Sequence, residues 1–210
     1  MQPLAEQLDA VLCMPLDVTD PAQQQALFDA ISSRWGRLDF ILHSIAFAPK
    51  SDLHGRVVDS SSGGFATAMD VSCHSLMRLG KSAEPLRTDG GSILTMSYYG
   101  AERVVKNYNI MGPVKAALEA SVKYLAAELG SQKIRVNALS PGPVRTRAAS
   151  GLTDFDKLME QAALKAPLFQ LVTIEQIGEM AAVNGGVKTC HCGGVKVGQF
   201  GASRGTNFWQ

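Results

Sequence analysis

The chain has 210 residues, enough for one domain with a full core. Apolar residues at 46%, charged residues at 19% and a formal net charge of +1 are the balance of a globular protein, and they give no reason to expect nucleic acid or an anionic membrane as partner. No apolar run approaches the ~18–20 residues of a spanning helix, Met1 to Glu6 lack the regions of a signal peptide, and four cysteines are too few for a disulfide scaffold, so the expected setting is cytoplasmic with reduced thiols.

In chain order, Ala10 to Leu16 reads as a buried strand leading into Asp17-Val18-Thr19-Asp20-Pro21. Thr19 or Asp20 can cap the next helix, with Pro21 in its first turn. That helix carries Ala26, Leu27, Ala30 and Ile31 at helical spacing and stops near Trp35-Gly36. Leu38 to Ala46 is a near-continuous apolar run, the mark of a parallel strand covered on both faces. Further strands are expected at Gly91 to Ser97 and at Ile134 to Ser140, the second closed by Pro141-Gly142-Pro143. A long helix through Lys115 to Leu129 ends at Gly130 as its C-cap. Pro113 inside that helical stretch should cost a hydrogen bond or mark a kink. A last helix begins after Thr173 and runs to about Ala182.

Strands alternating with helices specify an α/β fold with a parallel sheet. Ligands in such sheets bind beyond the carboxyl ends of the strands. Function is therefore expected at His43 to Phe47, Ser97 to Gly100 and Pro141 to Val144. After Ala182 the composition changes: 183–210 holds seven glycines, Cys190, Cys192 and a repeated Gly-Gly-Val-Lys, with no helix or strand period. Two units are expected, 1–182 and an atypical Gly/Cys-rich tail, 183–210.

Several side chains invite functional readings that their context does not support. Cys190-His191-Cys192 lacks the separated Cys pairs of zinc sites, so no metal is expected. His43, at an apolar strand end, reads as a packed residue rather than an acid. His54 and His74 have no partner pattern. Ser61-Ser62-Gly63-Gly64 follows no strand and is not read as a phosphate loop.

The stretch that carries chemistry is Ser97-Tyr98-Tyr99-Gly100-Ala101-Glu102-Arg103, followed by Asn107-Tyr108-Asn109-Ile110-Met111 and Lys115. Tyr108 and Lys115 are seven apart and, if both are helical, share one face. A lysine near a tyrosine should lower the phenol pKa by charge proximity. A phenol so placed suits proton donation to an oxyanion or enolate. The spacing alone also fits an ordinary amphipathic helix.

In context, the stretch resembles the catalytic segment of bacterial enoyl-acyl-carrier-protein reductases within the short-chain dehydrogenase/reductase superfamily. Ordinary members of that superfamily have Ser and Tyr-x3-Lys; here Tyr98 stands at the serine position and Met111 at the tyrosine position, leaving Tyr-x6-Lys. His43 to Pro49, Asn137 to Thr146 and Asp17-Val18 resemble further segments of the family, and Ala148-Ala149-Ser150-Gly151 resembles the start of its loop over the acyl chain.

The resemblance, over roughly Pro3 to Ala182, implies a Rossmann-like doubly wound parallel sheet lacking the first β-α-β unit. The absent strands would leave a gap in mid-sheet and raw edges. It implies reduction of the trans-2 double bond of enoyl-acyl-carrier-protein thioesters in type II fatty-acid synthesis, with NADH as cofactor and NADPH as the alternative. Tyr108 would bind the thioester carbonyl, Lys115 the nicotinamide ribose, and Tyr98 would line the acyl pocket. Ser44, Ile45 and Ala46 would line the nicotinamide side, Val144 would meet the carboxamide, Thr146 the phosphates, and Asp17 with Val18 the adenine ring. A homo-oligomer, a tetramer, is also implied. An inactive fragment of such a reductase and a general short-chain alcohol dehydrogenase are the competing readings.

Overall fold

The computed structural model describes residues 2–146 and 154–185 and the backbone of 196–200. The Ala148 to Gly151 segment and Cys190 to Cys192 lie outside the described residues. The helices and strands run α1 (Gln2–Gln7), α2 (Pro21–Trp35), β1 (Phe40–His43), α3 (Lys50–Leu53), α4 (Ser62–Met69), a π turn (Asp70–His74), α5 (Ser75–Ala83), β2 (Gly91–Met96), α6 (Met111–Leu129), β3 (Ile134–Pro141), α7 (Phe155–Lys165), α8 (Ile174–Gly185) and β4 (Lys196–Phe200). Among the described residues no helix is long and apolar enough to cross a membrane.

The four strands form one parallel sheet in the order β1-β2-β3-β4. Register places Ile41 beside Ile93 and Ile93 beside Val136, so one face of the sheet is an aliphatic row. α5 and α6 cover that face with Leu76, Leu118 and Val122, all almost fully buried. α2 joins them by packing Phe28 and Ile31 against Leu79 and Ala83 of α5. The alternate residues Leu94 and Leu139 face the other way and meet Ala181 and Met180 of α8. Helices on both faces bury residues of either parity along β2 and β3. Each fully buried Leu, Ile or Val contributes about 1.5–3 kcal/mol.

α2 forms as expected. The Asp20 side chain accepts from the N–H groups of Ala22 and Gln23, Pro21 begins the helix, and Gly36 closes it at φ 67°. That left-handed conformation suits glycine.

Several expectations are corrected. Ala10 to Leu16 is not a strand: it has no ladder partner, and Val11 is 54% exposed. An extended segment becomes a strand only by pairing, and among the described residues nothing lies beside it to pair with. The same holds for the outer edge of β1. That strand is not covered on both faces, since Phe40 is 49% and Leu42 45% exposed. α6 does end at Gly130 as its C-cap, but the cap is right-handed, at φ −61°, and opens a short 3-10 turn; Lys133 takes the left-handed conformation. Pro113 costs no helix hydrogen bond, because α6 begins at Met111 and first-turn nitrogens have no intrahelical acceptor. α8 continues to Gly185, and the tail, expected to hold no strand, contributes β4 alongside β3. His74 does have partners, Asp70 and Arg78.

Candidate functional site

Beyond the carboxyl ends of β1, β2 and β3 lies a cavity of about 400 Å³. Parallel strands deliver their carboxyl ends to one side, so three loops distant in sequence meet there. β1 leads into the turn from Ser44 to Ala48, β2 into Ser97 and Tyr98, and β3 into Gly142 to Val144. α6 contributes Met111 and Lys115, and Leu53, Tyr108, Thr146 and Phe155 complete the lining.

Of the residues singled out from sequence, Ser44, Ile45, Ala46, Tyr98, Tyr108, Lys115, Val144 and Thr146 all line this one cavity. Asp17 and Val18 do not. Asp17 is exposed ahead of α2, and the Thr19 hydroxyl and N–H, at 2.7 and 2.9 Å, hold its carboxyl below the usual carboxylate range. Val18 is buried, and its carbonyl accepts from Arg78 Nη2 at 2.7 Å. Arg78 also pairs with Asp70 and lowers its pKa, so the Asp17-Val18 loop is tied to the π turn.

Tyr108 and Lys115 do not meet through a shared helix face. Tyr108 lies in the loop before α6, between Asn107 at φ 64° and Asn109 at φ 48°. Asparagine tolerates this left-handed conformation better than most side chains. Asn109 Nδ2 donates to the Leu53 carbonyl and anchors the loop. The Tyr108 ring lies against Gly100, where any β-carbon would collide with it. The Tyr98 and Tyr108 rings are 4.8 Å apart between centroids and tilted by 60°, a geometry worth about 0.5–1.5 kcal/mol beyond burial.

Lys115 is 5% exposed, and its Nζ donates to the Met96 carbonyl at 2.6 Å. Burial pulls its ammonium down to about 8, with Cys73 and Glu119 opposing. The expected lowering of the tyrosine pKa is not found. Burial lifts the Tyr108 hydroxyl well above the ordinary phenol range, with Tyr98 and Glu119 adding to it, and burial lifts Tyr98 to about 12. A phenolate in an apolar cleft loses more solvation than a lysine already engaged by Met96 returns. Both tyrosines are therefore neutral hydrogen-bond donors at neutral pH, the form in which a phenol can stabilise an oxyanion.

His43 is packed, as expected: it is 1% exposed, with Nδ1 2.8 Å from Thr95 Oγ1 and Nε2 2.8 Å from Ser75 Oγ. Burial, and then the Lys115 charge, lower its pKa to about 4.

Sequence reasoning missed Leu53, Phe155 and Met111 as lining residues and the Met96 carbonyl as the lysine's partner. Leu53 and Phe155 each lie four residues past a segment singled out from sequence, His43 to Pro49 and Ala148 to Gly151, but belong to neither, and only the fold brings them in. Met111 was visible as a replaced tyrosine, but its burial in the cavity wall was not.

An apolar cleft with two neutral phenols and one buried cation fits a nicotinamide ring and an enone-like substrate: it offers a dry wall, a carbonyl donor and a group for ribose hydroxyls. The family profile described as "Enoyl-(Acyl carrier protein) reductase" matches residues 1–183. The enoyl-(acyl-carrier-protein) reductase (NADH) FabI of Rickettsia felis is 50% identical over 181 residues, covering 86% of this chain and 70% of that one. The corresponding enzyme 1 of Rhizobium meliloti is 48% identical over 181 residues, 86% of this chain and 66% of its own length. Among solved structures, the Anaplasma phagocytophilum enoyl reductase in complex with NAD superposes with a TM-score of 0.83 at 50% identity, covering 87% of this chain and 70% of that one. A Bacillus cereus relative with NADP+ and an indole naphthyridinone gives 0.88 at 42% identity, covering 92% and 76%. With its motif residues gathered in one cavity and this likeness over most of its length, the chain belongs to the enoyl-(acyl-carrier-protein) reductase family.

Proposed function

We propose that the chain reduces the trans-2 double bond of enoyl-acyl-carrier-protein thioesters with NADH, as part of type II fatty-acid synthesis. The observation that carries this reading is the convergence of Tyr98, Tyr108 and Lys115 with three strand-end turns in one cavity. When bound, NADH supplies a hydride to the β-carbon. Ser44, Ile45 and Ala46 line the nicotinamide side, Val144 meets the carboxamide, and Thr146 the phosphates. Lys115 binds the nicotinamide ribose and keeps positive charge under the reacting carbonyl. Asp17 and Val18 contact the adenine end, away from the cavity.

The Tyr108 hydroxyl donates to the thioester carbonyl oxygen. As electrons pass from the double bond onto that oxygen, the hydrogen bond from Tyr108 strengthens and stabilises the enolate; when the pair returns from oxygen, the α-carbon takes its proton from solvent water, and the Tyr108 hydroxyl keeps its own. One preorganised donor of this kind contributes about 2.7–4 kcal/mol. Tyr98 walls the acyl channel and packs against the tilted Tyr108 ring. Residues 1–182 are the reductase unit and 183–210 its Gly/Cys-rich tail. The working protein is a homo-tetramer in the cytoplasm.

Tyr108→Phe tests the assignment. Turnover of a crotonyl thioester should fall by about 100-fold or more, with the NADH dissociation constant changed by less than about threefold. Unchanged turnover removes Tyr108 from the mechanism.

A further inference from the structure

The turn from Ser44 to Phe47 belongs to no helix or strand, yet it forms one wall of the cavity. Such a wall needs fixing from outside, because its backbone makes no ladder bonds. Hydroxyls from one short segment, the π turn and the residue after it, reach both its ends. At the far end Ser72 Oγ accepts the Phe47 N–H at 2.9 Å and donates to the Phe47 carbonyl at 3.0 Å. A single hydroxyl thus serves both polar groups of one residue. At the near end Ser75 Oγ lies 2.8 Å from His43 Nε2, and Thr95 Oγ1 2.8 Å from Nδ1.

Proton counting fixes the direction of these bonds. Ser75 Oγ spends its one proton on the Val71 carbonyl at 2.6 Å, so it accepts from the ring, and Nε2 carries the hydrogen. Nδ1 then accepts from Thr95 Oγ1, whose alternative acceptor, the His43 carbonyl, is farther away at 3.2 Å. The histidine is neutral and locked in one tautomer. Ser72 and Ser75 are both fully buried, and the wide π turn gives both of them access to a single loop. Such turns recur at functional sites.

We propose that Ser72 is a positioning residue for the cofactor: by clamping the Phe47 backbone it holds the Ser44 to Phe47 wall in the shape that receives the nicotinamide ring. This inference rests on the NADH reading above. Ser72 does not itself line the cavity, so its effect travels through Phe47 alone.

The test is Ser72→Ala in the full chain, read by NADH titration, by steady-state kinetics with a crotonyl thioester, and by amide hydrogen exchange. The KM and dissociation constant for NADH should rise about tenfold, the factor that 1.4 kcal/mol represents. The kcat at saturating NADH should stay within about twofold of the parent, because a correctly seated cofactor reacts as before. The Phe47 amide should exchange faster while the Ile93 and Val136 amides of the central strands keep their protection. An unchanged NADH affinity overturns the proposal, and so does protection lost equally at Phe47, Ile93 and Val136, which would mark a general loosening. If the parent chain itself binds no NADH, the functional reading fails first and takes this inference with it. Parent binding with an indifferent Ser72→Ala defeats the inference alone.

Discussion

Lowering the pH from 7 to 4.5 should cost the fold about 2.5 kcal/mol through one side chain, His43. Its imidazole has an ordinary pKa of 6.5 and is lowered to about 4 in the folded chain, by burial first and by the Lys115 charge second. A depressed histidine pKa means that the unfolded chain takes up the proton first. Stability is therefore complete above pH 6.5 and is lost progressively as the pH falls toward 4. Each unit in that window costs about 1.36 kcal/mol for one proton. Stopping at 4.5 keeps clear of the lowered carboxyls of Asp17, Asp52 and Asp70, whose ordinary pKa is 3.8, while the lowered carboxyl of Glu175, ordinarily at 4.5, enters only at the last step and equally in parent and variant. Urea unfolding followed by circular dichroism at half-unit steps gives the slope directly. His43→Gln should flatten the curve between 6 and 4.5 while lowering stability at pH 7. A parent slope near zero, or an equal slope in the variant, would refute the assignment of this proton to His43.

Three further outcomes follow from particular contacts. Gly100→Ala puts a β-carbon into the Tyr108 ring; a displacement of about 1 Å at a reacting group costs on the order of 100-fold, so crotonyl thioester reduction should drop by that order with the far-ultraviolet spectrum intact. Lys115→Met removes an ammonium whose pKa burial has lowered from 10.5 to about 8, so its thermal midpoint at pH 7 should exceed the parent's. That gap should narrow as the pH rises from 8 to 10.5, where the parent lysine sheds its proton and gains stability, and NADH binding should be lost at every pH. Leu42→Lys places a charge on the half-exposed outer strand, and light scattering of concentrated protein should show less self-association than in the parent.

The elements that could be read from sequence are those whose signals are local. Asp20, Pro21 and Gly36 bound α2 by their own backbone chemistry, and β2 carries two adjacent apolar residues, Ile93 and Leu94, one for each covered face. Ala10 to Leu16 failed because a strand is a property of two segments, and composition reports on only one. Tyr108 and Lys115 line one cavity, but not by the route their spacing implied: the two left-handed asparagines, not a helix face, bring the ring to its place. Asn-x-Asn beside a proline-containing helix start is a turn signal, and it was readable. The tyrosine pKa could not be read at all, since charge proximity is visible in a motif whereas desolvation depends on the walls that Leu53, Met111 and Phe155 bring from elsewhere.

The most direct test of the central claim is a titration of the purified chain with NADH by nicotinamide fluorescence, followed by addition of a crotonyl thioester while absorbance of the reduced cofactor is recorded. The account predicts saturable binding and oxidation that depends on the thioester. Binding without thioester-dependent oxidation, or no binding by a chain whose circular dichroism shows it folded, would contradict it.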